Sequence, residues 1–332
     1  MRHRPELDGL RGIAVILVIG SHAWIPGFGL GAPAGVTLFF VLSGFLITSL
    51  LVSERERTGR VDLVAFYMRR ALRLLPALYA FVLVTIVGYG LGLWANKPAD
   101  PFAIVAVLGY VGNWASAAGV EPGMFGHTWS LAVEEQFYIL WPAVLLLALR
   151  LGERRTTAIV LLSLAILVLP WREFVMNTGG YLRAYVGTDT QADALFFGCA
   201  IALLGTRLPS WAGWLGIAGL VAVAEKWGNI VPFFSLSAVA SALAVAGCPA
   251  ALGWRPLAYI GRISYGLYLW HYLFIWSGIP WPVAIAATLA TASISYRYLE
   301  QPFLRLKERR FARAGRGSTS SPALPAVVAE SV

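Results

Sequence analysis

The chain has 332 residues, 58% hydrophobic and only 13% charged, against about a quarter charged in an ordinary soluble domain, which excludes a soluble globular enzyme. The formal net charge is +9, but the basic residues sit in short patches between apolar runs. That is the positive-inside arrangement of a membrane protein, so no nucleic acid is expected as a partner.

Apolar segments run from 10 to 26, 36 to 52, 77 to 95, 102 to 118, 131 to 149, 156 to 170, 191 to 206, 211 to 224, 230 to 250, 263 to 279 and 282 to 299. A spanning helix needs ~20 mostly apolar residues, so one all-α, polytopic transmembrane helix bundle over residues 1–303 is expected. Arg2 and Arg4, the first apolar stretch and then Ala32-Pro33-Ala34 imitate a secretory signal. The Arg and His inside that stretch favour a retained first helix. The remaining stretch, 304–332, is basic and then rich in Ser, Ala and Pro, and reads as a disordered cytoplasmic tail. Cys199 and Cys248 lie in or beside apolar segments, with neither metal spacing nor a disulfide framework.

Charge orients the segments. Arg2 and Arg4, the run from Arg55 to Arg73, Arg150 to Arg155, Arg255 and Arg262, and Arg305 to Arg316 are all expected on the cytoplasmic side. Counting crossings from each terminus leaves a net odd number for 77–118, so one of its two segments does not span. Gly109, Gly112 and Asn113 interrupt the second, which makes 102–118 the better re-entrant candidate. About ten spans follow, with both termini cytoplasmic and residues 119–130 outside.

Ionisable residues within apolar segments are costly and so are functional candidates. Arg11 and His22 are eleven positions apart, close to three helical turns, which puts both on one helix face ~16 Å apart along the axis. His22 could act as a general base, or be a polar residue at a helix end, with Arg11 an orientation anchor. Arg69, Arg70 and Arg73 lie in a loop that could cradle an anion, or be a plain positive-inside patch. His127-Thr-Trp129-Ser precedes the adjacent carboxylates Glu134 and Glu135. Helix capping explains one of that pair more readily than both. Asp189 and Asp193 share a helix face, with Asp189 the more natural N-cap. His271 lies mid-span in an aromatic run, where it could also be a hydrogen-bonded bundle residue. No metal-ligand cluster, serine elbow or phosphate-binding glycine loop is present.

Taken together, LDGLRGIAVILVIGSHA (7–23), FFVLSGFLIT (39–48), FYMRRALRLLPA (66–77), HTWSLAVEEQFYILWP (127–142), DTQADALFFG (189–198), ISYGLYLWH (263–271) and YRYLEQPF (296–303) resemble the acyltransferase-3 family of integral membrane acyltransferases. The resemblance implies transfer of an acyl group, often acetyl, from cytoplasmic acyl-coenzyme A to a hydroxyl of a carbohydrate or glycosylated acceptor. It implies that Arg11 and His22 are the essential pair, and that Arg69, Arg70 and Arg73 form the loop associated with the coenzyme.

On that reading His22 takes the acceptor proton. Glu134, His127 or Asp193 orients His22 or holds the sugar, and a route through an acyl-histidine stays open. Asp189, Asp193, Glu135, Trp129 and His271 are the expected acceptor contacts. Larger family members carry a fused extracytoplasmic hydrolase-like domain. The sequence stops soon after its last apolar segment, and the expectation is a stand-alone form. The rival class is a transporter or exporter of an acylated or glycosylated metabolite, against which the lack of an internal repeat weighs. A purely structural membrane protein is a weaker rival.

Overall fold

The structure, a computed structural model, describes residues 4–226 and 229–303. The tail expected at 304–332 lies outside the described residues, as does His3. Thirteen α-helices and no strand are found among the described residues.

Helix α1 (Pro5–His22) starts with proline in its first turn and carries Glu6 and Asp8 there, where both the ring and the negative charges suit a helix N-terminus. Helix α2 (Gly31–Thr58) stops at Gly59, whose φ of 73° lies in the left-handed region that glycine tolerates. Helix α3 (Leu63–Gly90) begins where the Asp62 side chain accepts a hydrogen bond from the Ala65 N–H. The arginine stretch 66–76, read above as a loop, is therefore helical. Its Met, Arg, Ala and Leu residues are good helix formers, although hydropathy gives them no signal. Pro76 is accommodated inside the helix.

The segment 102–118 is broken. Helices α4 (Pro101–Leu108) and α5 (Gly112–Ala117) flank Tyr110, which has φ 53°. At ~1.5 Å per residue they reach only ~12 and ~9 Å, far short of a hydrocarbon core ~30 Å thick. Backbone groups freed by such a break need partners inside protein. Gln136 donates to the Tyr110 carbonyl and to Asn113 Oδ1, and Asn113 donates to the Val186 carbonyl.

Next come α6 (Trp129–Leu151) and α7 (Arg154–Val186). The latter turns at Gly180, φ 81°, and runs well past the segment end expected at 170. The chain continues through α8 (Ala192–Leu204), α9 (Ser210–Lys226), α10 (Ile230–Ala246), α11 (Arg255–Arg262), α12 (Ser264–Ile275) and α13 (Trp281–Ser295), which passes into a π-helical turn at Tyr296–Glu300.

Among the described residues, four helical stretches are long and apolar enough to cross a membrane: Gly31–Thr58, Leu63–Gly90, Gly123–Leu151 and Arg154–Val186. Two of them turn large apolar side chains outwards, Leu83, Ile86 and Val87 on α3 and Ile159, Leu164, Ile166 and Leu167 on α7. Apolar surface on that scale is covered by lipid, and the protein is a multi-pass helical membrane protein.

Helix α2 is the buried axis, packed along α8, α1 and α10. A Cβ on Gly44 would collide with the Leu195 carbonyl, and one on Gly198 with the Val41 carbonyl. The missing side chains let α2 and α8 cross backbone to backbone, the usual use of small residues between membrane helices.

Ion pairs define one end of the bundle: Glu54 to Arg69 at 3.6 Å, and Glu56 to Arg154 at 2.6 Å. They join the C-terminus of α2 to the N-termini of α3 and α7. The C-terminus of α1, the turn before α6, and the far parts of α7 and α12 meet elsewhere, around three histidines.

Candidate active site

Two cavities share the helix α1. The first is lined by Arg11 of α1, Ser43 of α2, Arg70 and Arg73 of α3, and Glu134 of α6. Helical spacing explains which arginines enter. Arg70 and Arg73 are three apart and share a face, whereas Arg69 points to Glu54. The Arg70 guanidinium lies 3.3 Å from the centre of the Tyr138 ring, a cation–π placement. Its Nη2 donates to Glu135 Oε1 at 3.1 Å, and its buried Nε has no hydrogen-bond partner among the described residues. Ser43 Oγ donates to Glu134 Oε1 at 2.6 Å. Three guanidinium groups with an unused donor suit a phosphorylated or otherwise anionic group.

The second cavity is lined by His22, His127, Trp129, Tyr185 and Tyr272 among others. His22 Nδ1 lies 2.9 Å from His271 Nε2, with the two rings nearly coplanar at 19° and centroids 5.1 Å apart. His271 is fully buried, and its Nδ1 faces the Tyr268 carbonyl at 2.7 Å and the Leu267 carbonyl at 3.2 Å. The His127 ring stacks on Tyr272 with centroids 4.6 Å apart, and neither of its buried ring nitrogens meets a partner in hydrogen-bonding geometry among the described residues. Among the described residues, no group of three His, Cys, Asp or Glu is placed to hold a metal ion.

Beside this cavity, in the segment between α3 and α4, Lys97 Nζ sits 3.3 Å from the Trp276 ring centre and 5.6 Å from that of Tyr272. Burial against those rings lowers the Lys97 ammonium from its ordinary value.

Val36 and Tyr268 line both cavities. The Tyr268 hydroxyl donates to the His127 carbonyl at 2.8 Å. With its one proton so used, it accepts from Ser130 Oγ at 2.6 Å. Tyr268 is thus a fixed wall between the arginines and the histidines.

The structure brings His22, His127 and His271 together, with Trp129 in the same wall, although His22 and His271 are 249 positions apart. It groups Glu134, read above as a partner of His22 or of the sugar, with the arginines instead, and Glu135 with Arg70. Asp193 is buried against Arg172, whose Nη2 donates to both carboxylate oxygens at 2.9 Å. Asp189 receives hydrogen bonds from Arg183 at 2.8 Å and Trp171 at 2.7 Å. Burial alone would raise the Asp189 carboxyl, but those two donors hold it below its ordinary value.

Arg172, Ser43, Lys97, Tyr268 and Tyr272 were not singled out from sequence. Arg172 carried a usable signal: a cation just past an apolar segment needs a buried partner, and Asp193 is that partner.

The family model described as the acyltransferase domain, that of the acyltransferase-3 family, matches residues 4–296. The O-acetyltransferase OatA of Staphylococcus aureus is 35% identical, over 94% of this chain and 60% of its own length. The putative peptidoglycan O-acetyltransferase YrhL of Bacillus subtilis is 32% identical, over 94% and 56%. The peptidoglycan O-acetyltransferase OatA of Listeria monocytogenes is 31% identical, over 91% and 56%. The chain therefore spans 56–60% of the length of these relatives. No solved structure matches it. With the family model covering nearly its whole length, the chain belongs to the acyltransferase-3 family of membrane proteins.

Proposed function

We propose that the protein is a membrane O-acyltransferase that moves acetyl or another short acyl group from acyl-coenzyme A to a hydroxyl of a glycan. The relatives' names make peptidoglycan the first acceptor to try. The observation that carries this reading is the pairing of two chemically distinct cavities on one helix, Arg11 in the first and His22 in the second. An anionic carrier suits the first, and a sugar suits the aromatic walls of the second.

The arginine end faces the cytoplasm and the histidine end the outside, in keeping with the basic residues at the α2, α3 and α7 termini. About ten crossings accommodate this, with the α4–α5 segment re-entrant. The coenzyme phosphates bind Arg11, Arg70 and Arg73. The thin pantetheine arm runs along α1 past Tyr268, which brings the thioester to His22. There the acceptor hydroxyl gives its proton to a ring nitrogen of His22 while its oxygen bonds to the thioester carbon. The carbon–sulfur bond then breaks, the thiolate leaves, and the ester remains on the sugar. A general base at this step typically contributes ~10²–10⁴ in rate.

The test is mass spectrometry of cell-wall glycans from cells with and without the gene. An acyl-sized mass increase on a sugar hydroxyl, present only with the gene, is expected. Identical glycan masses in both would contradict the reading.

A further inference from the structure

A ring nitrogen of histidine can act as base, or as nucleophile in an acyl-histidine route, only if it carries a lone pair. In a neutral imidazole one nitrogen holds the proton and the other the lone pair, and the neighbours decide which. The bond pattern around His271 makes that choice. Its Nδ1 faces two backbone carbonyls, Tyr268 at 2.7 Å and Leu267 at 3.2 Å. Carbonyl oxygens only accept, so Nδ1 of His271 carries hydrogen. The lone pair of the neutral ring is then on Nε2, which faces His22 Nδ1 at 2.9 Å. That contact is a hydrogen bond only if His22 Nδ1 donates, which leaves the lone pair of His22 on Nε2, the nitrogen free for the cavity.

We propose that His271 is a positioning residue that fixes His22 in the Nδ1–H tautomer, through a chain running from His22 to His271 to the Tyr268 carbonyl. This rests on the reading of His22 as the reacting base.

The position is usually filled by a carboxylate that orients a catalytic histidine. Among the described residues, no carboxylate hydrogen-bonds to His22, His127 or His271. Glu134 is bonded to Ser43, Asp193 to Arg172, and Asp189 to Arg183 and Trp171. A second histidine anchored to backbone serves instead. Its ring is sealed from solvent, and its acceptor is part of α12 itself, so orientation is set by the helix. The rings meet edge to edge at an interplanar angle of only 19°, the near-coplanar arrangement an in-plane ring N–H donor needs. When His22 takes a proton at Nε2, its Nδ1–H still donates to His271, and no bond in the chain has to reverse.

The decisive experiment reads the tautomer directly. The 332-residue chain has four histidines, so ¹⁵N-histidine labelling in lipid bilayers gives a countable solid-state NMR spectrum, with His22 assigned from the spectrum of His22→Ala. The wild type is expected to show His22 with a protonated Nδ1 and an unprotonated Nε2. His271→Leu is expected to lose that preference. His271→Gln is expected to keep it, since an amide can donate to the Tyr268 carbonyl and accept from His22.

In turnover of acetyl-coenzyme A with a soluble peptidoglycan fragment, His271→Leu is expected to lose ~100-fold or more in kcat, with the fragment's KM within about twofold. His271→Gln should recover most of that loss. A wild-type His22 protonated on Nε2, or the wild-type tautomer and kcat in His271→Leu, overturns the proposal. Full activity in His22→Ala would instead remove the general-base reading, and the NMR result would still report on the histidine pair.

Discussion

The Oγ of Ser43 on α2 lies 2.6 Å from Oε1 of Glu134 on α6, and both face the cavity that holds Arg11, Arg70 and Arg73. This bond fixes a carboxylate among guanidinium groups rather than beside the histidines. In its ionised form that carboxylate opposes a phosphorylated ligand. Glu134→Gln keeps the shape and the bond to Ser43 while removing the charge. It should tighten coenzyme A binding by roughly threefold or more, about 0.65 kcal/mol at the scale of 1.4 kcal/mol per tenfold. Calorimetry in detergent checks this, and weaker binding would count against the assignment of the cavity.

The three neighbouring arginines are expected to behave differently. Arg70 and Arg73 line the cavity, while Arg69 makes a 3.6 Å pair with Glu54. A peripheral pair of that kind is worth only about 0–1 kcal/mol. Arg73→Ala should weaken coenzyme A binding by roughly 1.5–3 kcal/mol, the range for a hydrogen bond to a charged group. Arg69→Ala should change it less than about threefold. Arg70→Lys should not restore wild-type affinity, because the planar fork also stacks on Tyr138. The three binding isotherms, measured side by side, check the pattern.

Asp193 serves the fold. Arg172 is fully buried, and its guanidinium also donates to the Thr190 and Val231 carbonyls and to Ser235 Oγ. Asp193→Asn leaves that charge without its counter-ion, so a loss of about 3–5 kcal/mol is expected. Thermal unfolding in detergent measures it. The double change Arg172→Met with Asp193→Leu should be less damaging than Asp193→Asn alone.

The crossing of α2 and α8 gives a prediction independent of chemistry. Gly198→Val places carbon where the Val41 carbonyl lies. Forcing extra carbons into a tight contact costs typically ~1–3 kcal/mol, and more here because backbone is the neighbour. Gly205→Ala, at φ 63° with open space around it, should cost only its conformational strain of about 1 kcal/mol. Unfolding of both variants by heat in the same detergent compares them.

The sequence made the helix class legible through hydropathy, and Arg11 and His22 lie on one helix, α1, as their spacing requires. Gly109, Gly112 and Asn113 marked the broken segment, and the break falls at Tyr110. Polar helix was harder to read. The start of α3 and the second half of α7 carry Arg, Glu and Asn, which dilute the hydropathy signal while leaving helix propensity intact. The histidine cluster could not be located by local pattern, since α1, the turn before α6 and α12 are brought together only by tertiary packing. Glu134 was assigned to the wrong group for a similar reason. Its position near the start of an apolar helix gives its depth but not which neighbouring helix it faces.

Acyl transfer with His22 at the reacting centre can be read in one reconstitution: the chain in lipid vesicles with radiolabelled acetyl-coenzyme A and a soluble peptidoglycan fragment. Ester-linked label on the fragment is expected with the wild type, and a loss of ~100-fold or more with His22→Ala in protein that still inserts and binds coenzyme A. Equal label transfer by the two proteins would contradict it.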